Sequence, residues 1–298
     1  MTNISIMLAP PRHRYKGEIT DPDRWATWVP RQGDILVCTP PKCGTTWTQT
    51  ILAMLVHGGP DLPEKLPFLS PWIDADLGVS GEEVAAALVR QEGRRVVKTH
   101  TPADGFPIWD GVTVIAVYRH PLDAFFSLRK HTANRSEPVE NNPMAGPLSQ
   151  ALQAYLEGSM DRDDFDRDTL ATLTAHYTET VLAGRLPQVK LFHYSDMMRD
   201  PRQAVADLAI AAGINASKGL IDTVTEATSF GAMKSKAADF APVGGTGFWK
   251  SDAGFFDSAS SRKWEGQLSV QELAHFEARL VELVPDEAAR RWLEHGTG

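Results

Sequence analysis

The apolar residues of this chain fall into short β-type runs separated by longer helical stretches. Ile35 to Cys38 is an apolar run that ends in a Pro-Pro corner, and a helical run from Gln49 to Val56 follows it. Arg95-Val-Val-Lys-Thr-His-Thr-Pro102 reads as a second short strand running into a loop. Val112 to Tyr118 is a continuous β-branched run, the pattern of a strand buried on both faces of a parallel sheet. Val189 to Tyr194 predicts another strand, and helical patterns cover Leu148–Met160 and Asp168–Gly184. His176 and Tyr177, on the second of these, are assigned to packing. This alternation, with no repeat, low-complexity tract or long linker, predicts one α/β domain over residues 1–298, with a parallel sheet flanked by helices.

Local signals mark the helix starts. Asp21 with Pro22, and Asp200 with Pro201, each pair an N-cap with a first-turn proline. Pro121 opens a helix predicted to run through Arg129. Ser269-Val-Gln-Glu272 is a capping box for a final helix that places Leu273, Phe276, Leu280 and Leu283 on one face. Trp25 and Trp28, three apart, predict packing.

Composition narrows the choice of partners. A formal net charge of −8 argues against non-specific nucleic-acid binding but not against a nucleotide in a local basic pocket. No apolar run approaches the roughly 20 residues of a membrane span, and the amino terminus has no basic region before its short apolar patch, so neither membrane nor export is expected. Cys38 and Cys43 are the only two cysteines, which predicts no disulfide framework, no zinc set and a cytoplasmic protein.

The candidate chemistry begins at Thr39-Pro-Pro-Lys-Cys-Gly-Thr-Thr-Trp47. A strand, a tight loop and a helix start bring free backbone N–H groups and a helix dipole to one point, where Lys42 adds charge and Thr45 and Thr46 add hydroxyls. Such a site holds phosphate or a similar anion. It is not a Walker A loop, because Lys42 precedes Gly44. Lys98 and His100 lie two apart at the carboxyl end of a strand, where ligands of open parallel sheets bind. Arg119 stands before the Pro121 helix with Ser127 two turns along it, and a guanidinium fork matches phosphate oxygens.

Taken in order, these motifs resemble the cytosolic-type sulfotransferases that use 3′-phosphoadenosine 5′-phosphosulfate (PAPS). Pro-Lys-Cys-Gly-Thr-Thr-Trp looks like their 5′-phosphosulfate loop, Lys-Thr-His-x-Pro like their general-base motif, and Arg119 with Ser127 like their 3′-phosphate element. The resemblance implies a fold related to the P-loop nucleotide kinases and a sulfuryl transfer that needs no metal. It implies His100 as general base, Lys42 at the leaving 5′-phosphate and Lys98 on the sulfuryl oxygens. Residues Lys42, Cys43, Gly44, Thr45 and Thr46 would cradle the 5′-phosphate, and Trp47, Tyr194, Thr228, Phe230 and Met233 the adenosine.

The chain departs from this pattern between Gly247 and Ser269. Phe255 and Phe256 align, but Asp257-Ser-Ala259 and then Arg262-Lys263-Trp264 stand where the family has Arg-Lys-Gly and Gly-Asp-Trp. Either Arg262 and Lys263, or Lys250, supply the missing charge, or donor affinity is weakened, or the donor differs; a carboxylate at Asp257 would repel a 3′-phosphate if it took the arginine's place. The family's short dimerisation pattern is not met either, since Glu265 and Ala274 replace its lysine and glutamate. The acceptor is expected to be a small molecule, a phenol, alcohol or lipid-like compound, in a pocket drawn from Trp25, Phe68, Trp72, Phe106, Phe240 and Phe248. The sequence leaves open the oligomeric state, and with it a nucleotide-binding protein or kinase-like enzyme with an altered 3′-phosphate site.

Overall fold

The computed structural model describes residues 3–139, 142–186, 188–256, 258 and 260–297. Among the described residues six strands run β1 (Met7–Ala9), β2 (Ile35–Cys38), β3 (Val96–Thr99), β4 (Ile108–Trp109), β5 (Thr113–Tyr118) and β6 (Lys190–His193). Four of them form a parallel sheet in the order β3-β2-β5-β6, and β1 pairs antiparallel with β4 beside it. In register, Cys38 lies beside Thr99 and Ala116, and Tyr118 beside His193. All four parallel strands therefore end along one edge.

β2 and β3 are buried along their whole length, as parallel strands covered on both faces must be. The pleat sends Ile35 and Val37 to one face and Leu36 and Cys38 to the other. The first face is covered by helix α1 (Thr45–His57) and the helices Pro201–Ala211 and Lys218–Ala227. Against the other side, near β5, pack the helices Pro121–Ala133, Leu148–Glu157, Leu170–Tyr177, Val270–Leu283 and Glu287–His295. A buried ion pair between Asp34 and Arg95 ties the amino ends of β2 and β3 together.

The expected helix starts appear in place. Asp21, Asp200 and Ser269 cap as their sequences indicate, with the Ser269–Glu272 box complete. Two extents change. The 168–184 segment begins at Leu170 with Thr169 as N-cap and passes at Thr178 into a π-helical turn. The helix expected to reach Met160 ends at Glu157. His176 is buried, joined to the Tyr118 hydroxyl at 2.8 Å and to Cys38 Sγ at 3.5 Å. Trp25 and Phe106 are buried in a core cluster with Trp28 and Trp109, the Trp25 and Phe106 ring centroids 5.3 Å apart. Phe240 is likewise core. Aromatic side chains bury large areas wherever they land, so composition alone does not separate core from mouth.

Candidate active site

The carboxyl edge of the sheet gathers the candidate residues. Thr39 to Trp47 follows β2, His100 follows β3, Arg119 follows β5, and Tyr194 follows β6. Ligands of open parallel sheets bind at this edge, where neighbouring strands send their connections to opposite sides.

The loop after β2 is shaped by Gly44. Its φ of 101° lies in the left-handed region, and a Cβ there would stand 2.8 Å from the Tyr194 ring. Only glycine fits both constraints. Gly44 is also the N-cap of α1 and offers no side chain to the first-turn N–H groups, while that turn carries no acidic residue. The helix start is thus left open to an external anion. Thr45 Oγ1 meets Thr39 Oγ1 at 2.6 Å, Thr46 and Trp47 are half-buried, and Cys43 is buried in the core.

Lys42 adopts a left-handed φ of 64°, and its ammonium sits 3.0 Å from His131 Nδ1 and 4.6 Å over the Phe255 ring. Burial pushes its pKa down to about 7, aided by Arg119, Lys98 and Lys263 and opposed by Asp168. Lys98 meets the Trp72 ring with Nζ 4.4 Å from its centre, and burial lowers it to about 8. His100 packs edge-on against that same tryptophan at 4.5 Å. The two side chains predicted to share a face therefore converge on Trp72. His100 Nδ1 lies 2.7 Å from the Thr39 carbonyl oxygen. A carbonyl only accepts, so Nδ1 carries the proton and Nε2 keeps the lone pair. Burial, then the Lys98 charge, hold the imidazole well below 6.5, so it is neutral at neutral pH rather than half-titrated.

Arg119 joins the loop to the carboxyl-terminal segment. Nη1 donates to the Lys42 carbonyl at 3.4 Å, Nη2 to the Ser260 carbonyl at 2.8 Å, and the guanidinium stacks 4.4 Å over Tyr194. Its buried Nε has no hydrogen-bond partner among the described residues. Trp47 meets Tyr194 edge-on at 5.8 Å. Ser127 is buried on the Pro121–Ala133 helix.

The remaining sequence candidates divide. Phe230 is half-buried with Lys234 5.3 Å over its ring, whereas Met233 lies in the core and Thr228 turns its hydroxyl to the Val224 carbonyl. Arg262 is exposed and faces Glu265 at 3.6 Å, so its side chain is turned to solvent; Lys263 is half-buried and near enough to act on Lys42. Lys250 caps the Pro121–Ala133 helix by donating to the Ala133 carbonyl. Asp257 and Ala259, on which the expected repulsion turned, lie outside the described residues. Of the expected pocket, Trp72 reaches the site and Phe68 and Phe248 are exposed.

Sequence reasoning missed His131 and gave Asp123, part of the Arg-x-Pro-x-Asp run from Arg119, no role of its own. The Asp123 carboxylate accepts the backbone N–H groups of Arg262 and Lys263 at 2.9 and 2.8 Å. The signal was present: Asp123, Ser127 and His131 recur every four residues along one helix, a single polar stripe.

The chain is similar to known proteins over most of its length. The family described as the sulfotransferase domain matches residues 32–286. A glycolipid sulfotransferase of Mycobacterium bovis (strain BCG / Pasteur 1173P2) is 32% identical over 310 residues, covering 95% of this chain and 94% of its own. The crystal structure of mouse sulfotransferase SULT7A1 complexed with PAP shares 17% identity with a TM-score of 0.70, over 96% of this chain and 99% of that one. A retinol dehydratase in complex with androsterone and inactive cofactor PAP gives a TM-score of 0.65 at 17% identity, over 89% and 84% of the two chains. An open anion loop beside a lysine and a neutral histidine, on a fold shared with these structures and in a chain matched over most of its length, places this protein in the sulfotransferase family.

Proposed function

We propose that the protein moves a sulfuryl group from PAPS to a hydroxyl, or an amine, of a small, largely apolar acceptor, with His100 as the general base. The observation that carries the reading is the tautomer of His100. Its Nδ1–H is committed to the Thr39 carbonyl, which leaves a neutral Nε2 lone pair beside Lys98 and Trp72. In this reading Nε2 takes the acceptor proton as the new S–O or S–N bond forms. The S–O bond to the 5′-phosphate breaks in line, and 3′-phosphoadenosine 5′-phosphate (PAP) leaves with the electron pair. Lys42 stabilises the charge on that leaving oxygen, and Lys98 the sulfuryl oxygens. The donor's own negative charge offsets the unfavourable imidazolium next to Lys98.

The donor site fits the same reading. The uncapped start of α1 suits the 5′-phosphate, and Arg119, with its unpartnered Nε, suits the 3′-phosphate. Trp47 and Tyr194 supply faces for the adenine. Trp72 at the base, with Phe68 and Phe248 exposed, favours a lipid-like alcohol or phenol, in line with the glycolipid named for the mycobacterial relative. Two free, buried cysteines suit the reducing cytoplasm.

Replacing His100 by alanine tests the assignment. The expected result is a fall in kcat on the order of 10²- to 10⁴-fold with PAP affinity kept within a few-fold. A variant that turns over at the wild-type rate removes His100 from the role.

A further inference from the structure

His131 faces Lys42 from the far end of the polar stripe on the Pro121–Ala133 helix, and no motif draws attention to it. While Lys42 carries its proton it can only donate, and in that state the 3.0 Å contact places a neutral His131 with its lone pair on Nδ1. The imidazole is fixed edge-on against Trp249 at 4.6 Å and Phe255 at 5.8 Å, and Phe255 also offers its face to Lys42. Lys42 is surrounded by like charge from Arg119, Lys98 and Lys263, with Asp168 opposing them. His131 in turn faces Lys42, Arg135, Lys98 and His100, and with burial these keep it unprotonated. An ammonium in such a place needs a resident acceptor.

We infer that His131 is a positioning residue for the transfer: its Nδ1 holds the Lys42 ammonium beside the anion loop before the donor arrives, and fixes its direction afterwards. An ammonium carries three N–H groups. One stays on His131 while another turns to the oxygen that bridges sulfur and phosphorus. Without the imidazole lone pair Lys42 is free to rotate and gives up its proton more readily. The role given to His131 rests on the one proposed for Lys42 in the donor site.

The test compares wild type with His131→Phe, which keeps an aromatic ring against Trp249 but removes the acceptor, and His131→Asn, whose amide oxygen restores one. PAP affinity by calorimetry and kcat/KM for PAPS are measured from the mildly acidic to the alkaline range. In the Phe variant the alkaline loss of both is expected to begin about one pH unit or more lower, since a hydrogen bond to a charged group is removed. Its kcat is expected to fall about tenfold, and the Asn variant to recover most of both effects. Identical alkaline limbs in wild type and the Phe variant, with PAP bound and turnover intact, overturn the inference and leave the donor reading standing. Absence of PAP binding by the wild type overturns the donor reading and the role of His131 with it.

Discussion

The loop after β2 and the carboxyl-terminal segment from Phe248 to Trp264 meet at the same basic centre but are held by different means. The loop's geometry is written in its own residues: Gly44 in the left-handed region, the open start of α1, and the Thr39–Thr45 hydroxyl pair. The segment is held by groups borrowed from elsewhere. Ser136 N–H donates to the Phe248 carbonyl, Lys250 N–H to the Asn134 carbonyl, and Asn134 Nδ2 to the Ser251 carbonyl. Asp123 accepts from Arg262 and Lys263, and Arg119 reaches Ser260. A motif encodes a site when the backbone of the motif makes it. It fails when distant side chains do.

Three substitutions sharpen that contrast. Gly44→Ala strikes the self-encoded half: the new Cβ meets the Tyr194 ring 2.8 Å away at a φ of 101°. The strain is of order 1–3 kcal/mol, and in the proposed donor site it falls where donor and ring must both fit, so PAP affinity is expected to drop about a hundredfold by calorimetry. Unchanged affinity would mean that the loop relaxes freely. Arg119→Lys acts on the joint between the halves. Lysine keeps the charge but loses the planar fork and the stack on Tyr194, and an increase of about tenfold in the PAPS KM, with kcat nearly kept, is expected from steady-state rates. A greater loss in kcat than in binding would move Arg119 from donor binding to the transfer itself.

Asp123→Ala removes both acceptors of the Arg262 and Lys263 N–H groups and loosens only the borrowed half. Thermal unfolding should show a loss of about 1–3 kcal/mol, with a rise of several-fold in the PAPS KM and little change in kcat. If loop-directed binding of adenosine 5′-phosphate weakened equally, the two halves would not be separable.

The same contrast explains what was legible. The four parallel strands stood out because runs such as Ile35–Cys38 and Thr113–Tyr118 are apolar and bounded by turn chemistry. Capped helices at Asp200 and Ser269 were equally plain. Residues after strand ends, such as His100 and Arg119, could be placed at the carboxyl edge because the strand ends fix where they lie. Side chains placed by tertiary packing were not. Trp25 and Phe106 carry nothing in their spacing that distinguishes a core stack from a pocket wall, and they proved to be core. Arg262 was chosen for its charge, whereas its backbone N–H makes the contact and its side chain faces Glu265. The stripe of Asp123, Ser127 and His131 was readable at helical spacing, but only Asp123 and Ser127 belonged to a recognisable motif and His131 to none.

The most direct test of the donor site is calorimetric titration with PAP, repeated with adenosine 5′-phosphate. In the proposed donor site both ligands use the loop, but only PAP presents a 3′-phosphate to Arg119. The expected result is binding of PAP at least about tenfold tighter than adenosine 5′-phosphate, with the difference lost in Arg119→Ala. Equal affinity for the two ligands, or binding of neither, would contradict a PAPS donor site at this edge of the sheet.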